Sequence, residues 1–208
     1  MAANIIKVLL LEDDAAHAEA IRRALKATRY KVRVTGTLRE YRDSVVADPP
    51  DIAILDMFLP DGGAMEVLSS HQPANPFPLL IMTSQGNEQH AVDAMKAGAH
   101  DYIVKSPEAF NDMPRIITQA IGNWELLQAR KWGEEELRKS ELRYRDLFNN
   151  SQNAVAIYQA AADGADFIFK DFNSAAERID DIKKDDIIGK SVLKADRKST
   201  RLNSSHRL

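Results

Sequence analysis

The chain has 208 residues, enough for one large domain or for one domain and part of a second. Its 44% hydrophobic residues support a packed core, and its net charge of -3 gives no electrostatic reason to expect nucleic acid or an anionic membrane as a partner. The lack of cysteine excludes disulfides, thiolate metal sites and cysteine nucleophiles. Because the sequence has neither an apolar run of the roughly 20 residues that span a bilayer nor a signal-peptide pattern, we expect a cytoplasmic protein.

Residues 1 to about 112 alternate short apolar runs with helical patterns. The runs predict buried strands at Ile5–Leu11, Val32–Val34, Ile52–Leu55, Leu79–Met82 and Tyr102–Val104. Several are apolar at nearly every position, as expected of parallel strands covered on both faces. Apolar residues at helical spacing follow three of them: Ala18, Ile21 and Leu25; Leu38, Tyr41 and Val45; Ala91, Ala94 and Met95. The pattern predicts a doubly wound α/β domain with a five-stranded parallel sheet.

Residues 113–148 have a different character: apart from Pro114, which suits the first turn of a helix, they contain no proline and only two glycines, and their apolar spacing is typical of a coiled-coil seam. The seam comprises Ile117, Ala120, Trp124 and Leu127; it fails at Lys131 and Gly133 and restarts at Leu137, Tyr144 and Phe148. One interpretation is a connector helix, broken near Gly133, that pairs with a second copy in a homodimer. The other is a final helix packed on its own sheet, followed by a separate short helix.

The pattern of residues 149–194 indicates the beginning of a second domain. A strand is expected at Ala154–Tyr158, a turn at Asp163-Gly164, a strand at Phe167–Asn173 and a helix capped by Ser174. Two short strands and two short helices are too few for an independent core, so we expect this domain to be incomplete.

Polar side chains follow the predicted strands of the first domain. Glu12 and Asp13 follow the first, Asp56 the third, Thr83 the fourth and Lys105 the fifth. The carboxyl ends of parallel strands share one edge of a sheet, so these groups are expected to converge. Such a set suits a divalent cation such as Mg²⁺, which prefers oxygen ligands. It also suits a phosphoryl group, which a carboxylate can accept.

Four members of the set also have an ordinary explanation. Asp13, Asp56 and Thr83 could cap helices or strand ends, and Lys105 could be a surface lysine. Asp14 is expected to cap the first helix. The histidines of the first domain, His17, His71, His90 and His100, are interpreted as ordinary surface residues.

Four stretches carry a family resemblance: LLLEDD, ILDMFLPDGG, LLIMTSQG and AGAHDYIVKSP, in this order. Residues 1–125 resemble the flavodoxin-like receiver domain of two-component response regulators, such as the chemotaxis regulators. The resemblance implies that Asp56 accepts a phosphoryl group from a phosphohistidine on a histidine kinase or phosphotransfer protein. The implied roles of the other residues are Mg²⁺ ligands for Glu12, Asp13, Asp56 and the Phe58 carbonyl, phosphoryl contacts for Thr83 and Lys105, and a switch for Thr83 and Tyr102.

Two positions depart from the family pattern. Lys105-Ser106-Pro107 replaces the usual Lys-Pro, which puts the usual cis peptide bond in doubt. Position 58, two residues after the acceptor, is Phe and cannot orient a hydrolytic water, so we expect a long-lived phosphorylated form.

The second region resembles the first half of a PAS sensor domain through RYRDLF, DFIFKDFNSAAERID and DDIIGKSV. Without cysteine it cannot be a flavin–cysteine photosensor, and its ligand is undetermined. A receiver, a helix and a PAS domain are compatible with the N-terminal part of a hybrid sensor histidine kinase or of another receiver–PAS signalling protein.

Residues 195–208 are predicted to be non-native. The segment DRKSTRLNSSH, at Asp196–His206, resembles the in-frame translation of a sequencing-library adapter. Its basic residues are therefore not interpreted as a nucleic-acid arm.

The leading functional hypothesis is a phosphoacceptor receiver, whose own chemistry is limited to its phosphorylation and dephosphorylation. The alternative is an unphosphorylated pseudo-receiver that acts as a dimerisation or interaction module. An enzyme with a nucleotide cofactor is disfavoured, because no glycine-rich loop follows the first strand.

Overall fold

The computed structural model describes residues 5–26, 29–70, 76–84, 88–161 and 166–193. The chain divides into two compact units after Lys131. His71, the predicted turn at Asp163-Gly164 and the tail at 195–208 lie outside the described residues. Within the described ranges, no helix is long and apolar enough to cross a membrane.

The strands of the first unit are β1 Ile6–Leu11, β2 Tyr30–Thr35, β3 Ile52–Asp56, β4 Phe58–Leu59, β5 Gly62–Gly63, β6 Leu79–Thr83 and β7 Asp101–Val104. Five of them form a parallel sheet with strand order β2-β1-β3-β6-β7. The other two, β4 and β5, form a short antiparallel hairpin after β3. The sheet confirms the predicted doubly wound α/β fold, although the sequence did not predict the hairpin.

Helices cover both faces of this sheet. They are α1 Ala15–Leu25, α2 Leu38–Ala47, α3 Ala64–Ser70, α4 Glu88–Lys96, α5 Pro107–Asn111 and α6 Met113–Asn150. Successive strand residues point to opposite faces, so Leu9 and Leu11 lie in one core cluster while Val8 and Leu10 lie in the other. The packed core holds the sheet so that the carboxyl ends of all five strands lie at one edge.

The predicted helix faces are buried with one exception. The buried positions are Ala18, Ile21, Leu25, Leu38, Tyr41, Ala91 and Ala94, and Val45 packs against them in part. Met95 was predicted on the buried face but is 41% exposed. Ala91 and Ala94 already form the inward row of α4, and the next residue is rotated about 100° away from that row.

Side-chain caps begin at least three helices of the first unit. Asp14 accepts hydrogen bonds from the backbone nitrogens of Ala16 at 2.7 Å and His17 at 3.0 Å, which confirms the predicted cap of α1. Thr37 caps α2 and Ser106 caps α5. The peptide bonds on both sides of Ser106 are trans.

Helix α6 runs without interruption through Gly133, so the predicted break is wrong. A glycine costs a helix only about 1 kcal/mol relative to alanine, and the neighbouring Glu, Leu and Lys residues are good helix formers. The predicted seam does not stay on one surface. Ile117 and Ala120 are buried in the core of the first unit, whereas Leu127 is 48% exposed. The start of α6 therefore packs on its own sheet, as the second interpretation proposed, but the same helix continues to Asn150 where that interpretation expected a separate one.

The second unit contains a two-stranded antiparallel sheet, β8 Ala156–Ala160 and β9 Phe167–Phe172, and helices α7 Ser174–Asp180 and α8 Lys184–Ile187. These are the two strands and two helices that the sequence predicts. The predicted cap at Ser174 is wrong, because Ser174 is the first helical residue. The cap is Asn173, whose side-chain oxygen accepts from the Ala176 backbone nitrogen at 2.9 Å.

Candidate functional site

Three carboxylates meet at the carboxyl edge of the parallel sheet. Glu12 follows β1 and Asp56 ends β3, the strand beside it, and both are buried. Asp13 is exposed at the mouth of the site. One carboxylate oxygen from each of the three lies within 4.8 Å of the others. The parallel sheet thus concentrates negative charge at one point.

Lys105 binds two of these carboxylates at once. Its Nζ donates to Asp56 Oδ2 at 2.6 Å and to Glu12 Oε1 at 3.0 Å, and its side chain is only 9% exposed. The backbone places the side chain, since the Lys105 nitrogen donates to the Thr83 carbonyl at 2.8 Å. One buried ammonium therefore compensates two buried carboxylates.

The protonation equilibria reflect this charge imbalance. Burial raises the pKa of Glu12, and repulsion from Asp56 adds to the increase, while hydrogen bonds from Lys105 and His17 offset part of it. Burial alone lowers the pKa of Lys105, but hydrogen bonds and charge attraction from Asp56 and Glu12 outweigh it, so the pKa is raised. The lysine is fully charged at neutral pH, and its single positive charge is shared between Glu12 and Asp56.

The donor atoms fit a hard divalent cation. Glu12 Oε2 is buried and makes no hydrogen bond, although it lies 2.8 Å from the Lys105 ammonium. With Asp13 and Asp56 it forms an all-oxygen set, which suits Mg²⁺ better than a softer metal.

The remaining predicted residues take different positions around this cluster. Thr83 ends β6, beside β3, and its buried hydroxyl donates to the Ser84 carbonyl at 3.3 Å. Phe58 lies in the hairpin after Asp56, and its 54% exposed ring meets the His90 ring edge-on at 5.4 Å. Tyr102 is 45% exposed on β7.

Comparison with known proteins identifies this architecture. The sequence model of the response regulator receiver domain family matches residues 8–117. The chain belongs to this family. Its first unit is therefore the receiver domain of a two-component response regulator, a class that generally binds Mg²⁺ at an acidic pocket.

Curated relatives extend beyond the receiver domain. The methanogenesis regulatory protein FilR1 of Methanothrix harundinacea is 32% identical over 134 residues, which cover 62% of this chain and 30% of that protein. The regulatory protein LuxO of Vibrio cholerae is 30% identical over 151 residues, which cover 72% of this chain and 32% of that protein. The chain thus spans about a third of the length of these relatives.

Solved receiver structures share the fold. A response regulator receiver domain protein from Clostridium thermocellum is 25% identical, with a TM-score of 0.51, and the match covers 59% of this chain and 98% of that one. A receiver domain protein from Methanospirillum hungatei, at 23% identity and a TM-score of 0.52, covers the same shares. Both matches have about the extent of one receiver domain.

The structure adds a residue that the sequence analysis dismissed. His17, interpreted as ordinary surface, lies with its Nδ1 3.3 Å from Glu12 Oε1 and its ring 5.3 Å from that of Phe110. It borders a cavity of about 380 Å³ between α1 and α5. Its place in the first turn of α1, four residues after Asp13, was the available sequence signal. Periodicity identified the buried face of α1 but not the contacts made at its first turn.

Proposed function

We propose that Asp56 accepts a phosphoryl group from a phosphohistidine of a partner histidine kinase or phosphotransfer protein, in a reaction that requires Mg²⁺. The observation that carries the proposal is the Lys105 ammonium, held 2.6 Å from Asp56 Oδ2 inside an acidic cluster. A carboxylate used only as a strand-end cap would not need a buried lysine and two further carboxylates beside it.

The proposed step is a direct displacement at phosphorus. An Asp56 carboxylate oxygen forms the new bond to phosphorus as the phosphorus–nitrogen bond of the phosphohistidine breaks, and the imidazole leaves with the electron pair. Lys105 lies where it can turn from Asp56 to a phosphoryl oxygen, and the Thr83 hydroxyl can donate to another. Glu12, Asp13, Asp56 and the Phe58 carbonyl would hold Mg²⁺, which compensates phosphoryl charge when bound.

We further propose that α6 connects this receiver to an output region that begins as a PAS domain. The length of the curated relatives agrees with the chain being part of a longer protein, such as a hybrid sensor histidine kinase. Large apolar side chains on α6 are exposed and support pairing with a second copy: Leu126, Leu127, Trp132, Leu137, Leu142 and Leu147.

The same exposed side chains, which point in several directions around α6, support the second candidate function, a pseudo-receiver that only dimerises or binds partners. This candidate leaves the buried Glu12–Lys105–Asp56 cluster without a purpose, which is why we rank it second.

Phosphorylation of the full chain separates the two. With Mg²⁺ and acetyl phosphate, intact mass spectrometry should show one added phosphoryl group, which is lost in Asp56→Asn and kept in Asp43→Asn, a matched change at an exposed position. An adduct that persists in Asp56→Asn, or no adduct in the unchanged protein, would refute the phosphoacceptor function.

A further inference from the structure

The buried Glu12 carboxylate has three kinds of partner. Lys105 contributes its ammonium, the backbone nitrogen of Asp14 lies 3.3 Å from Oε1, and His17 Nδ1 lies 3.3 Å from the same oxygen. The Glu12 side chain has no exposed area, so water does not replace any of them. Its orientation therefore depends on these three groups.

The imidazole of His17 is held on a second side. The Phe110 ring of α5 packs against it at 5.3 Å with a tilt of 55°, and Phe110 itself is buried in the core. Because an ionised carboxylate can only accept hydrogen bonds, the proton in the contact to Glu12 lies on Nδ1. The 3.3 Å distance exceeds the usual upper limit of roughly 3.2 Å, as expected for an oxygen that Lys105 also holds.

Lys105 cannot serve Glu12 and a phosphoryl group equally well. Its ammonium is shared between Glu12 and Asp56, and a phosphoryl group on Asp56 adds negative charge on the Asp56 side. As Lys105 turns to that charge, Glu12 keeps only the backbone nitrogen and His17. The only side chain that then still holds the carboxylate, among the contacts described, is His17.

We propose that His17 is a positioning residue of the receiver: its Nδ1–H, backed by Phe110, keeps the Glu12 carboxylate oriented toward the cation independently of Lys105. This rests on the proposed Mg²⁺-dependent function of the same site. We therefore expect a substitution at His17 to change the affinity for Mg²⁺ without changing the reactivity of the nucleophile Asp56.

The test is a calorimetric titration of the full, unphosphorylated chain with Mg²⁺, using His17→Ala and His17→Asn. Loss of the hydrogen bond from His17 to Glu12 should weaken Mg²⁺ binding about tenfold in His17→Ala. This is the lower end of such effects, because the His17 ring is partly exposed. His17→Asn, which keeps an N–H donor near the Nδ1 position, should recover most of the affinity. Glu19→Ala, on the exposed face of the same helix, is the matched control and should bind as the unchanged protein does.

The effect of His17→Ala on acetyl phosphate labelling should follow the same pattern. The Mg²⁺ concentration for half-maximal rate should rise by about the same factor, with the saturating rate nearly unchanged. Equal Mg²⁺ affinity in His17→Ala and the unchanged protein, or equal losses in the Ala and Asn variants, would overturn the proposal. If Mg²⁺ binds as expected but no adduct forms, the phosphoacceptor function fails while the role of His17 stands.

Discussion

Glu12, Asp56 and Lys105 show how one residue triplet can prepare a site for a cation. Two buried carboxylates and one ammonium leave a net negative charge away from water, which is unfavourable without a further positive charge. The raised pKa of Glu12 shows this cost, because burial and the Asp56 charge disfavour the ionised carboxylate. A bound divalent ion would relieve it, which connects the stability of the site with its function.

Phe58 should control how long the phosphorylated state lasts. An aromatic side chain two residues after the acceptor offers no group to orient an attacking water, so we expect Phe58→Asn to lose its phosphoryl group several-fold faster. The measurement is the decay of the phosphorylated mass after the donor is removed. Met65→Asn, a change of similar polarity at a partly exposed position of α3, should decay at the parent rate. A Phe58→Asn decay no faster than the parent contradicts the prediction.

His100 should make stability depend on pH. Burial lowers the pKa of its imidazole below the usual 6.5, and the Asp101 charge offsets part of this change. The unfolded chain then binds the proton more readily, so stability is lost as pH falls below about 6.5 and levels off below the folded-state pKa.

The His100 contribution should be below about 1 kcal/mol, because the ring is partly exposed and solvent screens it. Urea unfolding at pH 7.5 and about 5.5 measures it as the difference between the unchanged protein and His100→Asn. His90→Asn should not remove this pH dependence. An equal loss of stability in the parent and in His100→Asn would show that other groups are responsible.

Helix α6 illustrates how element-scale patterns can mislead. Its apolar spacing suggests one seam, but the start of the helix uses that seam for the receiver core and later leucines stay exposed. A periodic pattern reports which residues share a face, whereas packing decides what that face contacts. Gly133, where the pattern changes, does not end the helix, since propensity costs of about 1 kcal/mol are easily outweighed.

Asn173 should hold the second unit together. Its fully buried amide accepts from the Val155 and Ala176 nitrogens, each at 2.9 Å, and donates to the Phe148 carbonyl at 2.8 Å and the Asn153 carbonyl at 2.9 Å. These bonds use both donors and both acceptor positions of the amide. They tie the end of α6 to the segment just before β8 and to the start of α7.

Asn173→Ala should destabilise this unit by about 2–4 kcal/mol, through the lost cap and the unpaired buried groups. Ser174→Ala, at the neighbouring position that does not cap, should change stability by less than about 0.5 kcal/mol. Native-state hydrogen exchange of the β8 and β9 amides measures both without assuming that the whole chain unfolds in one step. Similar values for the two variants would be inconsistent with the cap assignment.

At the scale of the whole molecule, the acidic cluster of the proposed cation site lies in the first unit. Mg²⁺ that binds only the folded receiver should stabilise it by about 2.7 kcal/mol at 100 times the dissociation constant. Hydrogen exchange should therefore slow in β1, β3 and β6 and stay unchanged in β8 and β9. Asp13→Asn, which alters an exposed ligand, should reduce the effect. Equal slowing in both units would contradict the assignment of the ion to this edge.

The sequence by itself determined the receiver fold and the polar groups at its strand ends. Apolar runs such as Ile52–Leu55 and the helical spacing of Ala18, Ile21 and Leu25 are local signals, because side-chain periodicity directly reflects which face is buried. The parallel sheet then follows, and with it the edge at which Asp56 lies.

Only the tertiary structure decided which groups actually meet. Lys105 reaches Glu12 across 93 positions, and Asn173 reaches Phe148 across 25. His17 is unremarkable as a sequence letter and becomes part of the site only because the turn after β1 directs it at Glu12. Such contacts depend on exact distances between elements, and a periodic pattern of hydrophobic residues does not encode those distances.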